Sequence, residues 1–180
     1  MAGVNFHGSF NCRGYTSFCA LKHGGYHAHG NYSGMLFFHQ AAQGRVIPLK
    51  LASDGVNLTS HAVLGDDGQL RVAIINKDLK KHAMVGIKLA NRSDQATVMR
   101  LSAPAVDAKT GITLGGSGVA SDGAWQPKPS ESITAGEGGF QIDVPAASAA
   151  LLVVGRQNSR SLPDTTSRSM HRPEGEVDLP

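Results

Sequence analysis

Histidines are the first residues in this chain whose type and spacing could do chemistry. His23, His27 and His29 stand close together in a glycine-rich stretch, and imidazoles at such spacing are typical ligands of zinc, copper or nickel. His7 could complete the set. A small metalloprotein is the hypothesis that these residues favour by themselves. Because neither a carboxylate nor a cysteine pair lies at a fixed offset from them, we expect no metal ion and no other cofactor here.

Two cysteines, Cys12 and Cys19, offer a second kind of chemistry. A thiolate activated by a nearby histidine would be a nucleophile, but the sequence does not indicate which histidine would serve as its base. The two could also form a disulfide, although a single pair does not define a disulfide framework. We expect two free thiols, and the pair does not indicate a cellular compartment.

The composition around these residues is strongly uneven. Eight of the ten aromatic residues and five of the eight histidines lie within residues 1–39, whereas the first carboxylate of any kind is Asp54. The formal net charge of +3 is small and dispersed, so we expect neither a nucleic-acid surface nor a membrane-binding patch. Residues 1–39 could therefore bind a ligand through rings and imidazoles, but they contain no acidic group for catalysis.

The elements that must position these residues belong to a mainly β fold. We expect loops over residues 1–31, apart from a short apolar strand near the start, followed by a helix over 32–44 that is apolar on both faces and therefore buried. Beyond it, alternating apolar residues separated by turns predict an antiparallel β-sandwich. The expected strands are a hairpin of Val56–Leu64 with Gln69–Lys77, then His82–Leu89, Gln95–Ser102, Gly139–Val144 and Ala149–Gly155.

Three further segments are more weakly patterned. Residues 104–138 are expected to form long loops with one or two short strands, and Trp125 to cap an edge of the sandwich. The trio Asn76, Lys77 and Asp78 could be an active-site group, but a polar strand end is the favoured interpretation. Residues 156–180 contain too few large aliphatic side chains to offset the entropy of ordering them, so we expect a disordered tail.

An ordered set of motifs resembles the C-terminal region of glycoside hydrolase family 79, which includes β-glucuronidases and heparanases. The resemblance extends from about residue 2 to residue 154 and is specific as a set, although no single motif would suffice. The motifs are Gly3–Gly8, Tyr15–Thr16, Tyr32–Ala42, Leu70–Asp78 and Val144–Ala150.

This resemblance implies that a (β/α)8 barrel precedes the β-sandwich. Ala2–Phe6 would be the eighth barrel strand, residues 10–31 the loop after it, and residues 32–44 the last barrel helix. The implied division is therefore a barrel remnant over 1–44, the C-terminal sandwich over 45–155 and the tail over 156–180. On this template the chain begins within a fold.

The resemblance also implies a function. Retaining glycosidases need two carboxyl groups about 5–5.5 Å apart, and in the family these come from the fourth and seventh barrel strands, upstream of every segment present here. We therefore expect a fragment without catalytic activity by itself. His7 matches a position at the end of the eighth strand and Tyr15 one in its loop, which makes them the predicted contacts to a uronic-acid-containing glycan; the alternative for Tyr15 is an aromatic ring that packs the loop. The missing barrel would be its partner, and a stand-alone sandwich module that binds carbohydrate or a protein is the alternative.

Overall fold

The computed structural model describes residue 12 and residues 16–90 and 92–156. Antiparallel strands dominate, and none of the helices in this part of the chain is long and apolar enough to cross a membrane. The elements in chain order are β1 Phe18–Ala20, β2 Tyr26–Ala28, α1 Gly30–Ala41, β3 Arg45–Ile47, β4 Leu58–Leu64, β5 Leu70–Asn76, β6 Ala83–Ile87, β7 Arg92–Ser102, β8 Thr113–Leu114, β9 Glu131–Thr134, β10 Phe140–Val144 and β11 Ser148–Arg156.

A seven-stranded antiparallel sheet forms the body of the molecule. Its order is β3-β4-β5-β11-β7-β8, and β9 pairs with another part of β7. Strands β4 and β5 form the predicted hairpin, in which Leu64 lies opposite Leu70. Gly68 in its turn has a φ of +76°, a conformation that favours glycine. The mainly β class and the hairpin predicted from the sequence are confirmed.

A second, two-stranded sheet of β6 and β10 covers one face of the large sheet. Between them lies the inner cluster, which holds twelve buried residues. Both sheets supply it from alternate positions, as expected for strands with one face in a core. Its members are Ala62, Leu70, Val72, Ile74, Ala96, Val98, Phe140, Ile142, Val144, Ala150, Leu152 and Val154.

Helix α1 covers the opposite face of the large sheet. Its side chains Phe37 and Ala41 join Ala73, Leu114, Ala149 and Leu151 in the outer cluster. The predicted helix is confirmed, but it starts at Gly30 and ends at Ala41. Its predicted burial on both faces is wrong, since Phe38 is 68% exposed. The sheet covers only the side that carries Ser33, Phe37 and Ala41.

Asn76 connects the two sheets at the end of β5. Its side chain is almost fully buried and its Nδ2 donates to the carbonyls of Lys81 and Val144, at 2.8 and 3.0 Å. Its Oδ1 accepts from the backbone N–H of Asp78, whose own carboxylate accepts from the N–H groups of Lys80 and Lys81. These contacts make the trio a polar strand end, as the favoured interpretation predicted.

The remaining strands follow the sequence pattern closely. Strands β6, β7, β10 and β11 confirm the four predicted segments to within a few residues, and β8 and β9 are the short strands expected between residues 104 and 138. Two predicted elements, the opening strand Ala2–Phe6 and the tail, lie outside the described residues, except that Arg156 of the predicted tail ends β11.

Candidate functional site

The aromatic and histidine-rich segment, residues 16–33, contains a hairpin that the sequence prediction missed. Strands β1 and β2 pair antiparallel, with Cys19 opposite His27. Two glycines with positive φ, Gly24 and Gly25, form the turn. A Cβ on Gly25 would lie 2.8 Å from the backbone oxygen of Ser121, so this close approach requires glycine. The expectation of loop throughout this segment is wrong because three-residue strands are too short to show an alternating pattern.

A disulfide joins Cys12 to Cys19. The expectation of two free thiols is therefore wrong, and among the described residues no cysteine is free. The physical reason is the position of Cys19: it is the buried central residue of β1, where it meets Cys12 across a seven-residue separation. A bonded pair cannot supply a thiolate nucleophile, so the disulfide removes cysteine chemistry from this segment and ties residue 12 to the hairpin.

Three aromatic rings pack around the hairpin. Phe18 meets Tyr26 and Tyr32 edge to face, with ring centroids 5.7 and 6.4 Å apart. Such contacts stabilise a pair by about 1 kcal/mol beyond the area that they bury. Tyr26 remains 48% exposed, so its ring can also contact a ligand or another protein surface.

Two of the three clustered histidines meet in the structure. The rings of His27 and His29 pack edge to face at 5.1 Å, and Nε2 of His27 lies 3.1 Å from the backbone oxygen of Lys109. Burial, followed by the nearby charge of His27, holds the pKa of His29 below its usual value. Within the described parts of the chain, no group of three or more histidine, cysteine, aspartate or glutamate side chains is placed to hold a metal ion.

A shallow cavity of about 280 Å³ lies beside His27. The start of α1 contributes Ser33 to its wall, and the segment Lys109–Thr113 forms the opposite side. The residues that line it include a histidine, a lysine and two threonines but no aspartate or glutamate. No local sequence pattern indicates that residues 109–113 reach this segment, because the two are distant in the chain.

Trp125 supports the same side of the molecule. It packs against the outer cluster, and its indole N–H donates to the carbonyl of Leu114 at 3.0 Å. Leu114 belongs to β8, at one edge of the large sheet. The loop that contains Ser121 is thus held next to the hairpin, because the backbone N–H of Tyr26 also donates to Ser121.

The carboxylates of the sandwich make contacts of their own. Asp67 accepts two hydrogen bonds from Arg71, and these, with a backbone N–H of Gln69, lower the pKa of Asp67 to about 2. Glu131 pairs with Arg100 at 2.9 Å. Exposed pairs of this kind stabilise a fold only weakly. Asp67 stabilises the turn between β4 and β5, and Glu131 joins β9 to β7. Neither carboxylate lines the cavity beside His27.

Both predicted substrate contacts, Tyr15 and His7, lie outside the described residues. Their binding role stays a prediction. The described neighbour of Tyr15, Thr16, is buried, and its hydroxyl has no hydrogen-bond partner within the part of the chain that the structure describes.

Comparison with known families supports the assignment that the motifs suggested. The profile of the glycosyl hydrolase family 79 C-terminal beta domain matches residues 60–151, which span β4 to β11. No curated protein sequence matches the chain.

Solved structures share this fold at low sequence identity. A GH51 α-L-arabinofuranosidase from Thermotoga petrophila is 17% identical, with a TM-score of 0.60 over 77% of this chain and 31% of that one. A 4-O-α-L-rhamnosyl-β-D-glucuronidase from Fusarium oxysporum is 22% identical, with a TM-score of 0.59 over 72% of this chain and 30% of that one. At such identities the likeness shows the fold alone. The chain spans about a third of the length of these proteins.

Proposed function

The chain belongs to glycosyl hydrolase family 79, whose C-terminal beta domain it carries, and on this premise we propose that it is a non-catalytic part of a retaining β-glucuronidase-type hydrolase. The β-sandwich would support a (β/α)8 barrel domain that supplies the acid/base and the nucleophile. The substrate class, a glycan containing uronic acid, is that of the resembling family, and a glucuronidase among the structural neighbours supports it.

One observation carries the proposal that the chain is inactive by itself. No aspartate or glutamate precedes Asp54, so the aromatic and histidine-rich segment contains no carboxyl group. Retention requires two carboxyl groups about 5–5.5 Å apart. Histidine, lysine and tyrosine in this segment can bind and orient a uronate, but they cannot replace that pair.

The residues next to the sandwich support a barrel remnant and a barrel partner. Hairpin and helix expose Leu21, Tyr26 and Phe38, three large apolar side chains within residues 16–41. Exposed apolar groups on one segment are typical of a surface that another domain covers. In the proposed division, residues 1–44 belong to the last unit of the barrel, residues 45–155 are the sandwich and the tail follows.

Glucuronide hydrolysis is the experiment that tests this function. The purified chain, at high concentration and dialysed against a chelator, is incubated with 4-nitrophenyl β-D-glucuronide. We expect no release of nitrophenol above the buffer rate. A rate that follows the chain through two chromatographic steps and persists without metal would overturn the proposal.

A second candidate, a stand-alone module that binds carbohydrate or a protein, is favoured by the packing of α1. The helix buries Phe37 and Ala41 against the chain's own sheet, which a self-contained domain would need. Limited proteolysis separates the two. A stable fragment of about residues 16–155, with α1 retained on the sheet, would favour the self-contained module, whereas digestion of residues 16–44 that leaves about residues 45–155 fits a layer that needs a barrel to hold it.

A further inference from the structure

The smaller sheet of the sandwich has a free edge. Strand β6 pairs with β10 from Ala83 to Ile87, and no other described strand pairs with it. Its alternate N–H and C=O groups therefore face away from β10 without a backbone partner in the described part of the chain. The strand contains no proline or charged residue, and Met84 is 68% exposed. Such an edge is a template for an added strand.

A cavity of about 310 Å³ lies beneath this edge. Small side chains of β4, Ser60 and Ala62, leave space where the two sheets face each other. The remaining walls are mostly aliphatic and come from β3, the segment after it, β5 and β6. They include Ile47, Leu49, Leu51, Val72, Ile74, Val85, Ile87 and Leu89. Aliphatic side chains from an added strand would fill this space and be removed from water.

The rim of the cavity is positively charged. Lys50 and Lys88 line it and no carboxylate does, while Lys80 and Lys81 lie just before β6. Exposure alternates along β6 and the residue after it: Met84, Gly86 and Lys88 are exposed, whereas Val85 and Ile87 are half-buried and line the cavity. The fitting occupant is therefore an extended segment with aliphatic side chains on one face and carboxylates on the other.

One segment of this chain has that pattern. Within Glu174–Leu179, the carboxylates Glu174, Glu176 and Asp178 alternate with Gly175, Val177 and Leu179. We propose that Glu174–Leu179 docks in extended form along the free edge of β6. Val177 and Leu179 then enter the cavity, and the carboxylates lie on the outer face beside Lys88.

The stretch of chain between β11 and Glu174 is long enough for the docking segment to reach β6. Strand β11 ends at Arg156, and its Val154 pairs with Leu70 at the start of β5. Strand β6 starts near Asn76, at the other end of β5, because Asn76 bonds Lys81 and Val144. It therefore ends on the side of the sandwich where β11 ends. A random coil of that length, residues 157–173, would have a mean span of about 25 Å, which gives millimolar effective concentrations.

Hydrogen exchange on the full chain tests the proposal. The tail variant Val177→Asp/Leu179→Asp is compared with the wild type, with exchange followed at the amides of Met84–Ile87. Both substitutions lie beyond β11 in the sequence, so they change no residue of the described sheets. We expect the amides that do not bond to β10 to exchange about tenfold faster in the variant, because they would lose the hydrogen bonds to the docked segment.

The matched control is Leu162→Asp, which places one new charge in the same tail outside the docking segment. It should exchange like the wild type. The triple variant Glu174→Lys/Glu176→Lys/Asp178→Lys should lose the protection as well, and added salt should weaken it in the wild type. Equal exchange in the wild type and the Val177→Asp/Leu179→Asp variant overturns the proposal. Protection that rises with protein concentration also overturns it, because a second copy then occupies the edge.

Discussion

The two faces of the large sheet are both buried, but by different partners. The inner face packs twelve buried residues against a second sheet, whereas the outer face packs six buried residues against one helix. Strand β11 serves both, since Leu152 points inward and Leu151 outward. The sheet-to-sheet contact is thus the structural core of the domain, and the hairpin and helix form a thinner layer on it. That layer carries His27 and His29 and the exposed rings of Tyr26 and Phe38.

Truncation of adjacent leucines on β11 should separate the two faces. Leu152→Ala should lower the free energy of unfolding by about 4 kcal/mol and Leu151→Ala by about 3 kcal/mol, since a single helix can shift to refill part of the cavity. Both side chains are at most 1% exposed, so each controls for the other. Urea denaturation gives both values. A larger loss for Leu151→Ala would contradict this ranking of the faces.

The helix provides the next comparison. Phe37→Ala should cost about 3 kcal/mol because it opens a cavity in the outer cluster. Phe38→Ala, one residue on and exposed, should change stability by less than about 0.5 kcal/mol. The same urea titrations measure both. Equal losses would mean that the helix does not pack as described.

The polar link between the sheets should be nearly as sensitive. Asn76→Ala leaves the carbonyls of Lys81 and Val144 without their donor, and burying such groups unpaired costs about 2 kcal/mol. Asn57→Ala, an exposed asparagine on the neighbouring strand connection, is the control and should be near neutral. Thermal unfolding followed by circular dichroism measures the difference. If Asn76→Ala matched its control, the two sheets would be held together by apolar packing alone.

The disulfide should contribute a similar amount through the outer layer. Closing so short a loop restricts the unfolded chain, and Cys12→Ser should lower stability by about 2 kcal/mol. Wild-type protein kept reduced should show the same loss, which serves as the control. Unchanged stability in both samples would show that the bond does not constrain the unfolded chain.

Acid should weaken the outer layer slightly through His29. Its pKa is lowered in the folded state by burial and by His27, so the unfolded chain binds protons more readily. The contribution is complete above the usual pKa of 6.5 and is lost as the pH falls below it. His29→Gln should flatten the stability profile in that window, whereas Phe38→Ala, which removes no titratable group, should keep the wild-type slope. A steeper profile in His29→Gln would contradict the claim that the unfolded chain binds protons at His29 more readily than the folded chain does.

The two regions also differed in how well sequence predicts them. The strands of the sandwich are long enough for an apolar pattern to show, so the hairpin of β4 and β5 was predicted as a pair and β11 was predicted as a strand. The hairpin of residues 18–28 was not, because its strands are three residues long. The Cys12–Cys19 bond was not predicted either, because a single pair of cysteines in the sequence does not show whether the two are bonded.

Contacts between segments that are distant in the sequence account for the other features that were not predicted. His27 meets Lys109 and Tyr26 meets Ser121, and neither pairing leaves a periodic signal in the sequence. The family resemblance predicted that Tyr15 and His7 contact the substrate, but it did not predict the hairpin of β1 and β2 that follows them in the sequence. A candidate site built on short, cross-linked elements is therefore harder to predict than the sandwich that supports it.

Covalent labelling tests the central claim most directly. A retaining glycosidase forms a glycosyl–enzyme intermediate on its nucleophilic carboxylate, which a 2-deoxy-2-fluoro-β-glucuronyl fluoride traps. The chain and an active retaining β-glucuronidase are incubated with this reagent in parallel, and intact masses are measured. We predict that only the active enzyme gains one fluoroglucuronyl group. A stoichiometric adduct on a carboxylate of this chain would contradict the proposal that it has no nucleophile of its own.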